Sequence, residues 1–195
     1  MDRRQFVTRV AGSGLLVATA AFAAGCTTTG TKAGTDAAAQ RREIDAGVDG
    51  ALNRLYSSVK SAQELGNRAQ GILVFPRVLS GGLVIGGEYG DGALRSKGAT
   101  HGYYRTIAGS IGLTAGGQSR SVIIMFMTPE AYDKFVQSKG WTVGADASVA
   151  LAKVGANGTI DTVTAQQPVI AFVQTNAGAM VDVSLNGAKI SKLDI

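Results

Sequence analysis

The sequence predicts an α+β fold, in which a long N-terminal amphipathic helix and a short helix near residues 129–138 pack on an antiparallel, β-rich core. Two patterns lead to this prediction. Short apolar runs between residues 71 and 127 are separated by paired glycines, which is typical of strands joined by tight turns. The stretch before them repeats apolar residues every three or four positions, which indicates a helix. Hairpins in this order favour a sandwich or a barrel-like sheet.

The first 25 residues predict an export signal. A basic start containing Arg3-Arg4 precedes an apolar run, residues 10–24, which is shorter than the ~20 residues that span a bilayer. The arginine pair resembles a twin-arginine signal. The sequence Ala-Ala-Gly-Cys at 23–26 resembles a bacterial lipobox, so we expect Cys26 to be acylated and to become the new N-terminus. The alternative is an ordinary signal peptide that contains a cysteine.

Residues 26–39 predict a flexible tether, because they are rich in Thr, Ala and Gly and lack large apolar side chains. Thr27 stands where lipoproteins of the inner membrane carry Asp. The lipobox resemblance therefore implies the outer membrane of a bacterial cell, with the protein facing the periplasm. Residues 40–195 are predicted to form one domain.

Residues 40–65 predict the first helix. Its apolar positions follow helical spacing and are Ile44, Val48, Leu52, Leu55, Val59, Ala62 and Leu65. The other side mixes both signs of charge. Its basic residues are candidates for contact with anionic lipid head groups, namely Arg41, Arg42, Arg54 and Lys60. A helix docked on the sheet with a solvated charged side is the simpler interpretation.

The strand pattern begins with Ile72–Phe75, whose continuous apolar run predicts a strand buried on both faces. Pro76 predicts a turn or a sheet edge after it. The segment 88–92 predicts a turn before a return strand at 93–96. Thr128-Pro129 predicts a helix start with Thr as the cap. Further strands are predicted at 83–85, 102–107, 110–114, 119–127, 168–173, 180–185 and 188–190, with strand-like alternation in 143–154.

Composition excludes several classes of function. The chain of 195 residues has 19 basic and 14 acidic residues, and its basic residues form no dense run, so we expect no nucleic-acid partner. Cys26 is the only cysteine and His101 the only histidine. An internal disulfide, a thiolate metal site and a multi-histidine metal site are therefore excluded. No phosphate-binding loop motif is present, and we expect no cofactor.

Five residues of the β-rich region are candidates for structural or ligand contacts: Glu88, Tyr89, Arg105, Trp141 and Asp146. Paired carboxylates can hydrolyse glycosides only at a defined separation, which the sequence does not indicate. The charged residues of this glycine-rich region are instead expected to form turns or an internal ion pair, such as Glu88 with Arg105. The aromatic side chains are expected to pack against the sheet rather than stack on a ligand. We therefore expect no enzymatic activity.

Several of these segments together resemble the SYLF domain. They are 71–76, 86–92, 102–105, 127–128, 140–148, 160–162, 171–173 and 187–190, and the resemblance extends from about Leu52 to the C-terminus. It implies that bacterial members are short lipoproteins of this layout. It also implies that eukaryotic relatives bind phosphoinositide membranes through an N-terminal amphipathic helix and, in yeast, engage actin.

The resemblance assigns membrane phospholipid as the expected partner, either phosphoinositide-like or another anionic lipid. The helix at 40–65 occupies the place of the eukaryotic membrane helix, which makes its basic residues the candidates for lipid contact. Actin binding is not transferred, because bacteria generally lack actin. The alternative function is that of a structural lipoprotein that binds an envelope protein.

Overall fold

The computed structural model describes residues 33–82, 85–111, 114–155, 157–175 and 184–195. All of its strands belong to a compact unit, Ala37–Ile195. The predicted export signal, Cys26 and most of the predicted strand at 180–185 lie outside the described residues.

The described residues form helices and strands in alternating groups. The helices are α1 (Ala33–Ser58), α2 (Lys60–Arg68), α3 (Pro129–Gln137) and α4 (Thr162–Ala165). The strands are β1 (Gly71–Gly82), β2 (Ile85–Ser96), β3 (Ala99–Ile111), β4 (Thr114–Phe126), β5 (Trp141–Thr142), β6 (Ala150–Leu151), β7 (Val169–Thr175) and β8 (Lys189–Leu193).

These strands form one curled sheet in the order β5-β8-β3-β2-β1-β4-β7-β6. Neighbouring strands are antiparallel except β6 and β7, which are parallel. The structure confirms the predicted α+β class and the antiparallel β-rich core. Residues 143–154, which were expected to alternate like a strand, contribute to the sheet only the short strand β6.

Apolar side chains cover both faces of the sheet, because successive residues of a strand point to opposite sides. Ile72 and Val74 pack beneath α1 and α2, on the face that we call the α1 face. Leu73 and Phe75 pack with Phe135 of α3, on the face that we call the α3 face. The prediction that this run is buried on both faces is confirmed.

The first four strands are much longer than predicted, since each has 12 or 13 residues. The predicted end of a strand at Pro76 is wrong, and so is the turn predicted within 88–92, because β1 and β2 continue through both positions. The pairing of β1 shifts by one residue against β2 and against β4 around Pro76. This shift is a β-bulge, where a residue without an amide hydrogen is tolerated inside a sheet.

Glycines of β2 face this bulge. A Cβ atom on Gly92 would lie 2.1 Å from the carbonyl oxygen of Val74, and one on Gly90 would lie 2.7 Å from that of Arg77. Both distances are below any normal contact, so the bulged strand leaves no room for a side chain at either position. The glycines were interpreted as turn formers, whereas they allow two backbones to approach closely.

The N-terminal helix starts earlier than predicted and is interrupted at Val59, inside the span that was predicted to be one continuous helix. α1 begins at Ala33 instead of near Gln40, consistent with the high helix propensity of the three alanines at 37–39. The chain is extended at Val59, with φ −125°, and α2 follows. The amide of Lys60 donates to the carbonyl of Gly158 across this break. Gly47 permits α1 to approach the bulge, because its Cβ would lie 2.9 Å from the Pro76 ring.

Polar contacts also attach α1 to β2 and β3. Arg95 pairs with Asp49 at 2.9 Å, and the Tyr103 hydroxyl donates to Asp45 at 2.9 Å. On the other side of the sheet, α3 begins as predicted, since the Thr128 side chain accepts a hydrogen bond from the amide of Ala131. This contact is an N-cap, which satisfies one free amide of the first helical turn.

Candidate functional site

The four basic residues predicted to contact lipid do not share one surface. Successive residues of a helix are separated by about 100°, so Arg41, Arg42 and Arg54 leave α1 in three different directions. Arg41 is exposed and donates to the carbonyl of Ile195 at 2.9 Å, whereas Arg42 is exposed on the outer side of the helix. Arg54 is half-buried against the sheet, and Lys60 is exposed at the start of α2.

A groove of about 590 Å³ lies between the N-terminal part of α1 and strands β1 and β2. We call it the α1 groove. Its volume is within the range of ligand sites. One wall contains Gly47 and Gly50, so no side chain projects from α1 at these two positions. The other lining residues are Gln40, Glu43, Ile44, Ala46, Arg54, Pro76, Arg77, Leu79, Tyr89, Gly90 and Asp91.

Two arginines give one part of the α1 groove a positive charge. The Nη2 of Arg54 donates to the hydroxyl of Ser121 at 3.2 Å, and Ser121 in turn donates to the bulged carbonyl of Pro76. The Nε of Arg54 is buried and has no hydrogen-bond partner. Arg77 is exposed, and among the described residues neither arginine has a carboxylate within ion-pair distance. Both guanidinium groups therefore remain available for an anion.

Two carboxylates also line the groove: Glu43, which is exposed on α1, and Asp91, whose charge is neutralised. Arg105 holds Asp91 through two hydrogen bonds, of 2.7 and 3.0 Å, and its guanidinium lies 4.8 Å from the centre of the Tyr89 ring. The Tyr89 hydroxyl and the Gln40 amide also donate to Asp91. The hydrogen bond to Asp91 raises the pKa of Arg105. Desolvation, followed by its hydrogen bond to Asp91, raises the pKa of Tyr89.

Beside the groove, three large apolar side chains are exposed in a row across three strands. Leu79 is 52% exposed, Tyr89 is 44% exposed and Ile107 is 53% exposed. The register pairs Leu79 with Tyr89 and Tyr89 with Ile107, so they are direct cross-strand neighbours on the α1 face. We call this set the apolar row. Only two other large hydrophobic side chains of the described residues are as exposed, Val136 and Val163.

Glu88 does not pair with Arg105, and that predicted ion pair is wrong. Glu88 instead forms a salt bridge with Arg120 on the α3 face. The register explains this result. Arg105 lies directly opposite Asp91, whereas Glu88 and Asp91 are three residues apart on β2 and therefore point to opposite faces of the sheet.

The other predicted contact residues are structural in this fold. Trp141 is 1% exposed and packs edge-to-face with Phe126 and Phe135 in the core of the α3 face. Asp146 accepts a hydrogen bond from the amide of Thr142 at 2.6 Å and closes an exposed turn. His101 is exposed, and its Nδ1 lies 3.4 Å from the hydroxyl of Tyr132.

Two features are absent from the described residues. Within them, no group of three or more His, Cys, Asp and Glu side chains is placed to hold a metal ion. None of the helices there is both long and apolar enough to pass through a bilayer.

Comparison with known proteins gives a match to a protein family. Residues 107–194 match the family model Ysc84, described as a Las17-binding protein actin regulator, whose domain is the SYLF domain. This confirms the SYLF resemblance. The SYLF match begins at Ile107 of the apolar row and covers β4, α3 and all later strands. Homologues of the SYLF family bind lipid. A search of curated proteins found no significant match.

Arg77, Leu79 and Ile107 were not among the predicted site residues. Arg77 and Leu79 follow Pro76, where a turn or a sheet edge was predicted, and Ile107 was predicted only as the last residue of a strand. A sequence signal for the apolar row does exist. Leu79 and Ile107 are both followed, two residues later, by a glycine on the same side of the strand, Gly81 and Gly109.

Proposed function

We propose that this protein is a non-enzymatic, lipid-anchored SYLF-type domain that binds anionic phospholipid at the surface of the bacterial outer membrane, on the periplasmic side. The observation that carries the proposal is the α1 groove, where two arginines without a carboxylate partner lie beside exposed apolar side chains. The SYLF match supports it, because homologues in that family bind lipid.

The chemistry of the groove fits a phospholipid head group. A guanidinium donates several hydrogen bonds to phosphate oxygens, and Arg54 and Arg77 provide two such groups. Leu79 and Tyr89 line the same groove, and they are of the kind that contacts glycerol and the first carbons of an acyl chain. The lining therefore combines a cationic part with an apolar part. The first complements the anionic phosphate of a lipid, and the second complements its apolar carbons.

The proposed anchor is Cys26, which we expect to carry fatty chains. Each buried CH₂ adds about 0.8 kcal/mol, so an anchor with more than one chain holds the protein stably at the membrane. Mass spectrometry of the mature protein tests this part. It should show an N-terminal cysteine with acyl groups, and an unmodified thiol in a longer or shorter chain would contradict it.

Lipid binding is tested on the full chain carrying Cys26→Ser, which excludes acylation. The protein should co-sediment with vesicles of phosphatidylethanolamine and phosphatidylglycerol, or with vesicles containing a phosphoinositide, and less with phosphatidylcholine alone. Arg77→Gln should weaken this binding about fivefold, since one basic residue near an anionic surface contributes about 1 kcal/mol. Added salt should reduce the difference.

Lys139→Gln is the matched control, because it removes the same charge from an exposed position after α3. It should leave vesicle binding nearly unchanged. Equal losses in the two variants would show that net charge alone drives binding, and the assigned groove would be wrong. Absence of binding by the parent protein at low salt would refute lipid binding itself.

The second candidate function is binding of an envelope protein. It is favoured by the printed description of the matched family, which names a protein-binding regulator, and by an open groove that a peptide could enter. Cross-linking in cells should then return one stoichiometric partner whose yield falls in Arg77→Gln but not in Lys139→Gln.

A further inference from the structure

One end of the sheet contains no charged residue in its four central strands. The distal parts of β1, β2, β3 and β4 are residues 78–82, 85–87, 106–111 and 114–119, and none of these residues is Asp, Glu, Lys, Arg or His. The register places them side by side, since Gly82 pairs with both Gly86 and Thr114, and Gly86 pairs with Ser110. We call this region the uncharged end.

The nearest charges behind this region are paired with one another. Arg105 binds Asp91 on the α1 face, and Arg120 binds Glu88 on the α3 face. Arg105, Arg120 and Glu88 are each next in sequence to an uncharged stretch. Pairing neutralises four charges at the boundary, which lowers the cost of placing them near a medium of low dielectric constant.

Two cations remain near the boundary. Arg77 precedes the uncharged stretch of β1, and Lys189 of β8 lies directly opposite Ile107 of β3. Both side chains are exposed, and within the described ranges neither has a carboxylate partner. The net charge at the boundary is therefore positive, which complements anionic lipid phosphates.

On β1, β2 and β3, the described part of the α1 face at the uncharged end is apolar and flat. The apolar row is followed, two residues closer to the end of the sheet, by a row of glycines that pair with one another, Gly81, Gly87 and Gly109. A Cβ added to Gly81 or Gly109 would have no atom within 4 Å, and one on Gly87 would lie 4.0 Å from its nearest neighbour. Close packing does not explain these glycines, in contrast to Gly92.

From these observations we propose that the uncharged end inserts into the outer part of an anionic bilayer, with the apolar row in contact with acyl chains and Arg77 and Lys189 at the phosphates. The inference rests on the proposed lipid-binding function and assigns the orientation of the domain on the membrane. It places the sheet end, rather than the outer side of α1, toward the lipid.

The dimensions fit an interfacial insertion. Gly82 lies three residues beyond Leu79, so this part of β1 extends about 10 Å at 3.3 Å per residue. Amphipathic elements that lie in the membrane interface reach about 5–10 Å into the boundary between head groups and chains. The uncharged part is therefore long enough to reach the acyl chains and too short to cross the bilayer.

A second copy of the chain fits this surface less well. The apolar row crosses three strands, which are about 4.8 Å apart, so it is only about 10 Å wide. A stable dimer usually buries about 800 Å² on each partner. The flat region of about 10 by 10 Å is far smaller than that area, whereas a bilayer needs no minimum patch.

The test uses the full chain with Cys26→Ser, which then contains no cysteine, so that a single new cysteine can be labelled with an environment-sensitive fluorophore. Labels are placed by Leu79→Cys, by Ile107→Cys and, as a control, by Val163→Cys, which is 69% exposed on α4. With vesicles of phosphatidylethanolamine and phosphatidylglycerol, the labels at 79 and 107 should shift to the blue and be quenched by lipids with a nitroxide on the acyl chain. The label at 163 should change little.

A double variant without a fluorophore gives an independent measurement of vesicle binding. Leu79→Asn with Ile107→Asn should weaken vesicle binding about 30-fold, which corresponds to about 2 kcal/mol at 1.4 kcal/mol per tenfold change. Both side chains are exposed, so the fold should tolerate the change, and circular dichroism checks that it does. The matched control is Val136→Asn with Val163→Asn, which should bind as the parent protein does.

The outcomes distinguish the insertion of the uncharged end from the proposed lipid-binding function. Vesicle binding with labels at 79 and 107 that remain in water would overturn the insertion and leave lipid binding intact. Absence of binding in every variant would refute the proposed function as well. Blue shifts that appear without vesicles and increase with protein concentration would show that a second copy covers the apolar row, and would also overturn the insertion.

Discussion

Gly92→Ala should destabilise the protein strongly, because the bulge in β1 leaves no space for a methyl group. The added Cβ would lie 2.1 Å from the carbonyl oxygen of Val74 and 2.6 Å from the ring of Phe75. The nearest atom belongs to the backbone, so β1 and β2 must separate by more than 1 Å. Overpacking of a core costs about 1–3 kcal/mol, and a backbone contact belongs at the upper limit.

We therefore expect the free energy of unfolding to fall by about 3 kcal/mol. With a urea dependence of about 2 kcal/mol per molar, the midpoint of unfolding should decrease by roughly 1.5 M. The fluorescence of Trp141 reports the transition, since it is the only tryptophan and is 1% exposed in the core.

Two further alanine substitutions show whether the loss of stability depends on the space around the added methyl group. Gly90→Ala should be intermediate, because its Cβ would lie 2.7 Å from the carbonyl of Arg77. Gly109→Ala has open space around its Cβ and should stabilise the protein by about 0.5–1 kcal/mol, since glycine weakens a strand relative to alanine. If Gly92→Ala and Gly109→Ala shifted the midpoint in the same direction, the assignment of Gly92 to a close backbone contact would be refuted.

The remaining predictions concern buried charge and alkaline pH. Glu88→Gln should lower the free energy of unfolding by about 3 kcal/mol, because it leaves the 10% exposed Arg120 side chain without a carboxylate. Glu88→Leu with Arg120→Met should recover most of that loss in urea unfolding, and simple additivity of the single changes would contradict the pairing. In the folded protein, burial raises the pKa of Tyr104 above the ordinary value of about 10 for a tyrosine. The contribution of Tyr104 to the free energy of unfolding should therefore be constant below the pKa that this residue has in the unfolded chain. It should fall as the pH rises through the pKa that the residue has in the folded protein. Tyr104→Phe should reduce that fall in urea midpoints measured between about pH 8 and pH 11, and an unchanged slope would exclude Tyr104 as a source.

Local patterns predicted the features that depend on neighbours in sequence. The apolar run Ile72–Phe75 predicted a strand buried on both faces, and the structure confirms it. The Thr128 cap of α3 was predicted from two adjacent residues and is confirmed. Both features depend on backbone preferences and side-chain periodicity, which act over a few residues.

The partners of charged residues could not be predicted in this way. Glu88 was assigned to Arg105 because both are charged and lie in one β-rich region, yet the register gives Arg105 to Asp91 and Glu88 to Arg120. A difference of one residue in strand pairing reverses the face of every side chain. Arg105 lies opposite Asp91, and the side chain of Glu88 points to the other face of β2, so the register between β2 and β3 decides which charges meet.

The candidate site was likewise only partly predicted. Arg54 was identified as a lipid-contact residue, and it does line the α1 groove, whereas Arg41, Arg42 and Lys60 lie elsewhere. Arg77 and Leu79 join Arg54 there because β1 continues past Pro76, which the sequence pattern argued against.

The amino-acid pattern was therefore sufficient for the fold class, the core positions of the strands and the start of α3, since these follow from interactions along the chain. The long strands, the ion-pair partners, the α1 groove and the uncharged end depend on which strands become neighbours. Two glycines of the sheet illustrate the difference between local pattern and tertiary structure. Gly92 is required because a distant carbonyl lies 2.1 Å from where its Cβ would be, whereas Gly109 faces open space. Nothing adjacent to either glycine in sequence carries that information, because the deciding atoms are brought there by folding.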